Sequence, residues 1–430
     1  MSIVRYNKDN VAREVSLPLS KSIALRVMTL NAACRVLGLE PSCIPALPDA
    51  EDVEGMTRAL QALEKGEKSV YIGEGGAPIR FFTALTASTE GADITVAASE
   101  GLMKRPMAPL LEALRSAGAS IECLRNALAP PLHIVGRNLS PLPLAMNPGV
   151  SSQYISALMM AATIWESPLI LSFEGGDAVS RPYIEMTRKI MERYGCEIVA
   201  DAQGVSVAPG MEGAPQSFPI EGDWSAASYF YEMSALMADP DKDIRIRNLT
   251  PAYDSLQGDS AAAGMFLRLG VETSYHEDGS ATLHYKPGVT GEGKLMFDLR
   301  DTPDLAPALA VACALCGREF LFTNVAHLRH KETDRMAALH AELLKLGIET
   351  QCGADTFGWD GSRLEIAKDI IPEIKTYSDH RMAMAFAPAA IRFGSIRIEH
   401  PGVVGKSFPT YWEAAEICGL TLQKSTPCGT

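Results

Sequence analysis

Met336, Leu339, Leu343 and Leu346 recur at steps of three and four along the chain, and Gly347 follows at once. That spacing lays one apolar stripe along a helix, and Gly just beyond the last apolar residue marks its end, because glycine enters the left-handed region without a Cβ clash. A short alternating stretch, IETQC, comes next and reads as a strand. The same succession occurs in LRSAG-ASIECL, MERYG-CEIVA, FLRLG-VETSYH and AEICG-LTLQ, with glycines at 118, 195, 270 and 419, and more loosely in CRVLG-LEPSC at Gly38. A helix-strand unit therefore repeats roughly every 75 residues, too long for a solenoid and suited to a small α/β subunit. Six such units, in two domains of three, account for the chain. The boundary is expected near Glu221 to Asp223, where SFPIEGDWSAASYF opens a new helical run. On pattern alone the first 18 residues could pair with either half.

The length of 430 residues also favours two domains, since single cores stop growing at roughly 250–300 residues. Hydrophobic residues at 47% and charged residues at 21% are ordinary globular usage. The start, MSIVRYNKDNVAREVSLPLSKS, has no apolar signal core, and no uninterrupted apolar run could span a bilayer, so a soluble, cytoplasmic protein is expected. Nine cysteines with scattered spacing read as reduced thiols. Cys313 and Cys316 have metal-ligand spacing but sit in the apolar run LAVACALCG with no second pair nearby, which reads as core rather than metal site. A net charge of -13 argues against a nucleic-acid surface, so any anion site must be assembled locally.

Basic residues gather at loop-to-helix junctions. In LPLSKSIALR, Ser20 is a candidate N-cap, and Lys21, Ser22 and Arg26 crowd a helix start predicted to run to just before Gly38. A cation is disfavoured by the dipole at that end, so Lys21 there points to a bound anion. Lys406 in GKSFPTYWEAAEICG has a similar setting, with Pro409 suited to the first turn of the following helix. Lys331, Glu332 and Arg335 in HLRHKETDRMAAL are spaced to face one side of a helix start. Asp301 and Asp304 in DLRDTPDLAPAL lie near another, and Asp379, His380 and Arg381 in YSDHRMAMAF near a third. A structural ion-pair cluster would explain any one of these; three acidic-basic junctions together point to one site. Two motifs fail. Gly288 to Lys294, GVTGEGK, matches most of a P-loop, but Leu295 replaces the Ser or Thr and LMFDL reads as a strand, so the segment is taken as a hairpin loop. Gly73, Gly75 and Gly76 lack dinucleotide spacing; Pro78 suits a helix beginning there, with Arg80 one step inward.

SKSIALR, GLMKRPMAPL, SSQY, HKETDR, SDHRM and GKSFP occur in the order of the 5-enolpyruvylshikimate-3-phosphate synthase family, which the chain resembles over nearly its whole length. The resemblance implies an α/β fold of two domains, each of three repeated α/β units, the inside-out, barrel-like enolpyruvyl transferase fold around a cleft that closes on ligands. Residues 1–18 with 223–430 would form one domain and 19–222 an inserted one. It implies that the carboxyvinyl group of phosphoenolpyruvate passes to the 5-hydroxyl of shikimate 3-phosphate, with phosphate released by carbon-oxygen cleavage through a tetrahedral intermediate. Phosphorus is not attacked, so no metal and no cofactor is expected.

By the same resemblance, Lys21, Ser22, Arg26, Ser151, Ser152, Gln153, Ser180, Tyr183, Asp304 and Lys331 would hold shikimate 3-phosphate. Lys21, Gly76, Arg105, Gln153, Arg335, Arg381 and Lys406 would hold phosphoenolpyruvate. The reaction needs one proton delivered to the vinyl CH₂ and one removed from the hydroxyl. Asp304 is assigned as base, Glu332 as donor to carbon, and Lys21 as a charge stabiliser or partner in proton transfer. A monomer acting on these two ligands, with no nucleic-acid or membrane partner, is the expected state. The chain departs from the family pattern at Glu74 (usually Asn), Ala77 (Thr), Phe81 (Pro) and His327 (often Asn). Altered sensitivity to glyphosate, the family's phosphoenolpyruvate-competitive inhibitor, is therefore expected. Two alternatives stand beside this reading: the sibling transferase acting on UDP-N-acetylglucosamine, which substrate choice separates, and an anion-binding or structural module without catalysis, against which Lys21, Asp304 and Glu332 together argue.

Overall fold

A computed structural model describes residues 1–9, 13–105, 107–125, 128–147, 149, 151–175, 180–288, 293–365 and 370–424. The chain forms two compact units, residues 1–18 with 221–430 and residues 19–220. Both are assembled from one piece: strand, inner helix, strand, outer helix, strand, strand, with the last strand between the second and the third. In the 19–220 unit, Ser69–Tyr71 lies parallel to Asp93–Ala97, which is antiparallel to Leu132–Val135, itself antiparallel to Ser120–Cys123. Leu144–Met146, Leu169–Phe173, Gly204–Val207 and Ile198–Ala200 repeat that order and those directions.

The other unit builds three such sheets. One is contiguous: Leu295–Asp298, Phe320–Thr323, Thr356–Trp359 and Gln351–Cys352. In the second, Glu14–Ser16 is parallel to Ile244–Arg247, so residues 19–220 are inserted between the first strand of a repeat and its inner helix, Trp224–Met237. In the third, Ser2–Tyr6 fills the place between Ser395–Ile398 and Leu420–Lys424, with Ser2 opposite both Ile398 and Lys424. The N-terminal strands thus belong with the C-terminal half through backbone pairing. Alternating burial along Ile244–Arg247 and Leu295–Asp298 leaves one sheet face on the core and one towards solvent.

The helices fall into two kinds for a physical reason. Lys21–Val36, Gly76–Ala87 and Ser152–Ala162 pack on one another, as do Trp224–Met237, Ala306–Leu315 and His380–Phe386 in the other unit. Being surrounded, they are buried on every side: residues 23–34 are all buried, and so is every residue of Ala306–Leu315. The outer helices carry the stripe. In Arg335–Lys345 and its end, Met336, Leu339, Leu343 and Leu346 are buried, and Gly347 has φ +77°.

Two expectations about the repeat need correcting. Gly38 ends an inner helix, not an outer one; the outer helix of that unit is Glu51–Glu64, followed by Gly66 at φ +66°. The sixth unit is also abbreviated: among the described residues it has no four-stranded sheet, only the bridge between Cys43 and Ser217. Cys313 is fully buried and Cys316 half-buried, as core residues. Of the GVTGEGK segment, residues 289–292, and with them the hairpin reading, lie outside the described residues, while Leu295–Asp298 is the strand that the sequence predicts.

Candidate active site

Three helix starts in the C-terminal unit bring six charges together. Asp304 lies in the 3-10 turn Pro303–Leu305 that leads into the inner helix Ala306–Leu315. Asp379 caps the inner helix His380–Phe386 through the Arg381 N–H at 2.9 Å. Arg335 is the first residue of an outer helix capped by Asp334. Its guanidinium, 1% exposed, donates from Nε to Asp379 Oδ2 at 2.8 Å, from Nη1 to Asp304 Oδ1 at 2.8 Å and from Nη2 to Glu332 Oε2 at 2.6 Å. Arg381 donates to the other Asp304 oxygen at 2.8 Å, and Lys331 Nζ lies 3.8 Å from Oδ1. Lys406 donates to the Ser378 carbonyl at 3.2 Å; Tyr377 and Ser378 both hold positive φ, an uncommon conformation for non-glycine residues.

The electrostatics follow from this geometry. Burial alone would raise the Asp304 carboxyl, but Arg381, Lys331 and Arg335 hold it well below the usual carboxylate range. Glu332 is likewise pushed up by burial and pulled far down, chiefly by Arg335. Burial would lower the Arg335 guanidinium, yet its three carboxylates raise it. Burial lowers the Lys331 ammonium, against the pull of Asp304. His327, in the 3-10 turn Ala326–His330, is lowered to about 4 by burial and then by Lys331. Two carboxylates on which proton transfer was assigned are therefore ionised, each gripped by a cation that an anionic ligand would also attract.

The 19–220 unit gathers its polar groups at the inner helix starts too. Arg26, 2% exposed, donates to Thr187 Oγ1 at 2.7 Å, the Ser22 carbonyl at 2.7 Å, and Ser156 Oγ and the Tyr183 carbonyl at 3.3 Å each. Its guanidinium lies 5.3 Å from the centre of the Phe81 ring, and burial lowers it to about 10. Ser151 caps Ser152–Ala162 by accepting from Gln153 N at 3.3 Å, and Arg80 donates to Gln153 Oε1. Gly76 lies beside that pair: a Cβ there would sit 3.6 Å from Gln153 Oε1. Lys21 pairs with Asp52 at 3.0 Å, and a Cβ at Gly75 would collide with the Asp52 carboxylate, which explains glycine at that position. Ser180 is buried at φ +55° before Arg181–Glu192, whose first turn holds Tyr183; half-buried Arg105 follows the short helix Glu100–Met103.

Several local expectations are revised. Lys331 and Glu332 do not lie within the helix; they form the turn before it, and Asp334 is its cap. Pro409 precedes Thr410, the cap of Tyr411–Ile417, rather than entering the first turn. Ser20 holds the N-cap position, but its buried hydroxyl makes no capping hydrogen bond. Lys21 has a counter-ion in Asp52, so its place at a helix start does not by itself require a bound anion. Sequence reasoning missed Asp52, Thr187, Ser156 and Asp259, which approach these groups from segments with no motif of their own. The QGD triplet before a helix was the one available signal for Asp259.

The model of one family, EPSP synthase (3-phosphoshikimate 1-carboxyvinyltransferase), matches residues 6–415. The chain belongs to the EPSP synthase family. It is 40% identical over 412 residues to a 3-phosphoshikimate 1-carboxyvinyltransferase of Bacteroides fragilis, covering 95% of this chain and 96% of that one. A Vibrio atlanticus relative of the same name is 30% identical over 436 residues, covering 95% and 97%. An EPSP synthase structure from Acinetobacter baumannii aligns with TM-score 0.74 at 20% identity, over 99% of this chain and 100% of that one. The enolpyruvyl transferase NikO of Streptomyces tendae aligns at 0.67 and 13% identity, over 99% of each chain. The fold is therefore that of the enolpyruvyl transferases, and the enzyme class of the EPSP synthase family is 3-phosphoshikimate 1-carboxyvinyl transfer. Among the described residues, no helix is long and apolar enough to cross a membrane.

Proposed function

We propose that this chain transfers the carboxyvinyl group of phosphoenolpyruvate to the 5-hydroxyl of shikimate 3-phosphate, with Asp304, Glu332 and Lys21 carrying the chemistry. The observation that carries the assignment is the sharing of Asp304 between Arg335 and Arg381, beside Glu332. Arg381 and Lys406, with Arg335 behind them, are the phosphoenolpyruvate-binding cations of the C-terminal unit; the cations Lys21 and Arg105, with Gly76 and Gln153, are the phosphoenolpyruvate-binding residues of the other. Ser22, Arg26, Ser151, Ser152, Gln153, Ser180 and Tyr183, and Lys331 with Asp304, hold shikimate 3-phosphate.

Arg335 and Arg381 hold the carboxylates of Asp304 and Glu332. When a phosphate or carboxylate of the substrate takes part of the positive field of Arg381 and Arg335, Asp304 loses stabilisation of its charged form and becomes a stronger base. It then takes the hydroxyl proton as oxygen bonds to the central enol carbon. Glu332 regains proton affinity in the same way, takes up a proton from solvent and delivers it to the terminal CH₂. Phosphate then leaves the tetrahedral adduct with the proton that Asp304 took, and the new methyl group returns a proton to Glu332, which restores the enol ether. The work is positioning and charge stabilisation.

A monomeric, cytoplasmic enzyme without nucleic-acid or membrane partners fits the net charge of -13. Phosphate release from phosphoenolpyruvate, measured in chelator with and without shikimate 3-phosphate, tests the reading. Release that needs both substrates and collapses in Glu332→Gln is expected. Release dependent on UDP-N-acetylglucosamine instead, or binding without release, overturns it.

A further inference from the structure

Asp259 lies in the 3-10 turn Gly258–Ala261 and is 4% exposed. The turn is clamped to the start of the inner helix Trp224–Met237. Gln257 accepts from Trp224 N at 3.0 Å and donates to Glu221 at 3.0 Å and to the Gly222 carbonyl at 2.8 Å. Ser225, on the first turn of that helix, donates to Asp259 Oδ2, while Oδ1 is buried with no hydrogen-bond partner among the described residues. A buried carboxylate oxygen left without a donor is costly, and a carboxylic acid in that place is not.

Three charged groups act on Asp259. Asp223, the cap of the same helix, and Asp304 repel a negative charge there, whereas Arg381 attracts it. The following helix, Ala262–Leu267, carries no titratable side chain. Burial, with Asp304, pushes Asp259 up to about 7 against the pull of Arg381 and the Ser225 hydroxyl. Asp304 is driven the opposite way by its three cations, and neighbouring carboxyls whose proton affinities are forced apart divide into a charged and a neutral partner. Only the charged one has been given a role above.

We propose that Asp259 is a positioning residue for the reaction, acting through Arg381 and Asp304 on how tightly the site grips its anionic substrate. It touches no reacting atom. While it is neutral, Arg381 keeps a positive charge in excess of what Asp304 consumes; once it ionises, a further negative charge stands behind Arg381 and its hold on a phosphate or carboxylate weakens. The proposal rests on the carboxyvinyl-transfer reading for its kinetic arm only.

Two measurements on the full chain test it. Carbon-13 NMR of aspartate-labelled protein should show one carboxyl titrating near neutrality, absent in Asp259→Asn and displaced to higher pH in Ser225→Ala, which removes the donor favouring the charged form. In steady-state kinetics, the ratio of KM for phosphoenolpyruvate in the wild type to that in Asp259→Asn should rise roughly tenfold between pH 6 and pH 8.5, the size of one partly screened charge interaction. Substrate ionisation cancels in that ratio. A ratio independent of pH, with kcat lowered equally throughout, would reduce Asp259 to a structural residue and overturn the proposal, as would spectra with no aspartate titrating near neutrality. If neither protein turns over, the failure belongs to the reading of the reaction, and the dissociation constant of phosphoenolpyruvate measured by calorimetry at both pH values replaces KM: the same roughly tenfold rise in the ratio is expected, and a ratio independent of pH overturns the proposal.

Discussion

Arg335 Nη1 donates to Asp304 Oδ1 at 2.8 Å from a guanidinium that is 1% exposed and is shared with Asp379 and Glu332. Removing one partner of a buried ion pair leaves its neighbours charged and uncompensated, which costs about 3–5 kcal/mol. Arg335→Ala is therefore expected to lower the stability of the C-terminal unit by that order, read as a fall in the urea midpoint. Arg335→Lys should recover little, since a point charge cannot serve three carboxylates in three directions. A midpoint within error of the wild type would show that the cluster contributes no net stability.

Asp304→Asn keeps the side chain's shape and removes the charge that Arg381 and Arg335 contact. If Asp304 is the base, kcat should fall about 10²- to 10⁴-fold, the usual worth of a positioned acid-base group. Binding of phosphoenolpyruvate should hold or tighten, because Arg381 is released towards the ligand. Near-normal turnover in single-turnover experiments would remove Asp304 from that role.

These two residues also show what was legible in the sequence. The outer helices announced themselves, because a half-buried helix must alternate between core and solvent, as in the run from Met336 to Leu346. The inner helices are buried all round and leave no periodic trace, so Gly38 reads in the sequence like the glycine that ends an outer helix. Asp304, Arg335 and Arg381 were each visible as charges at helix starts. Their convergence on one carboxylate was not, since residues 304, 335 and 381 meet only through the packing of separate repeats. Asp52 had no local signal and Asp259 only the QGD triplet around it: a lone aspartate looks the same in a solvated turn and in a buried one.

His327 offers a pH test. Burial lowers it to about 4, below the ordinary value of about 6.5, so on acidification the unfolded chain takes the proton first. The stability associated with the neutral imidazole is intact above about pH 6.5 and is lost as pH falls towards 4. His327→Asn should lack that loss: its urea midpoint relative to the wild type should improve between pH 7 and pH 4.5. An unchanged difference would mean that His327 titrates alike in both states.

Glu74 stands exposed beside Gly73, Gly75 and Gly76, and the buried Phe81 ring faces Arg26 in the same helix region. Glyphosate carries the anionic groups that an added carboxylate repels, so its inhibition constant should be raised. Glu74→Asn should then lower that constant roughly fivefold, the scale of one exposed charge interaction. An ordinary low constant in the unaltered chain would refute the expectation.

Glu232 lies two turns into the helix Trp224–Met237, fully buried, with neither carboxyl oxygen hydrogen-bonded among the described residues. Burial pushes it well above the ordinary value. The folded chain therefore holds a proton that the unfolded chain gives up. Relative to acid conditions, stability falls as pH climbs from the ordinary glutamate value of about 4.3 towards the raised one. Glu232→Met, similar in volume and without polar atoms, should be more stable by about 1–3 kcal/mol, the cost of an unsatisfied buried polar group. The gain should be small at pH 4.5 and larger at pH 8, in urea titrations of both proteins. A variant less stable at every pH would mean that the carboxyl earns its place through hydrogen bonds to buried water, and the sign of the pH dependence separates the two: a satisfied, ionised Glu232 would be stabilising above its titration, not below it.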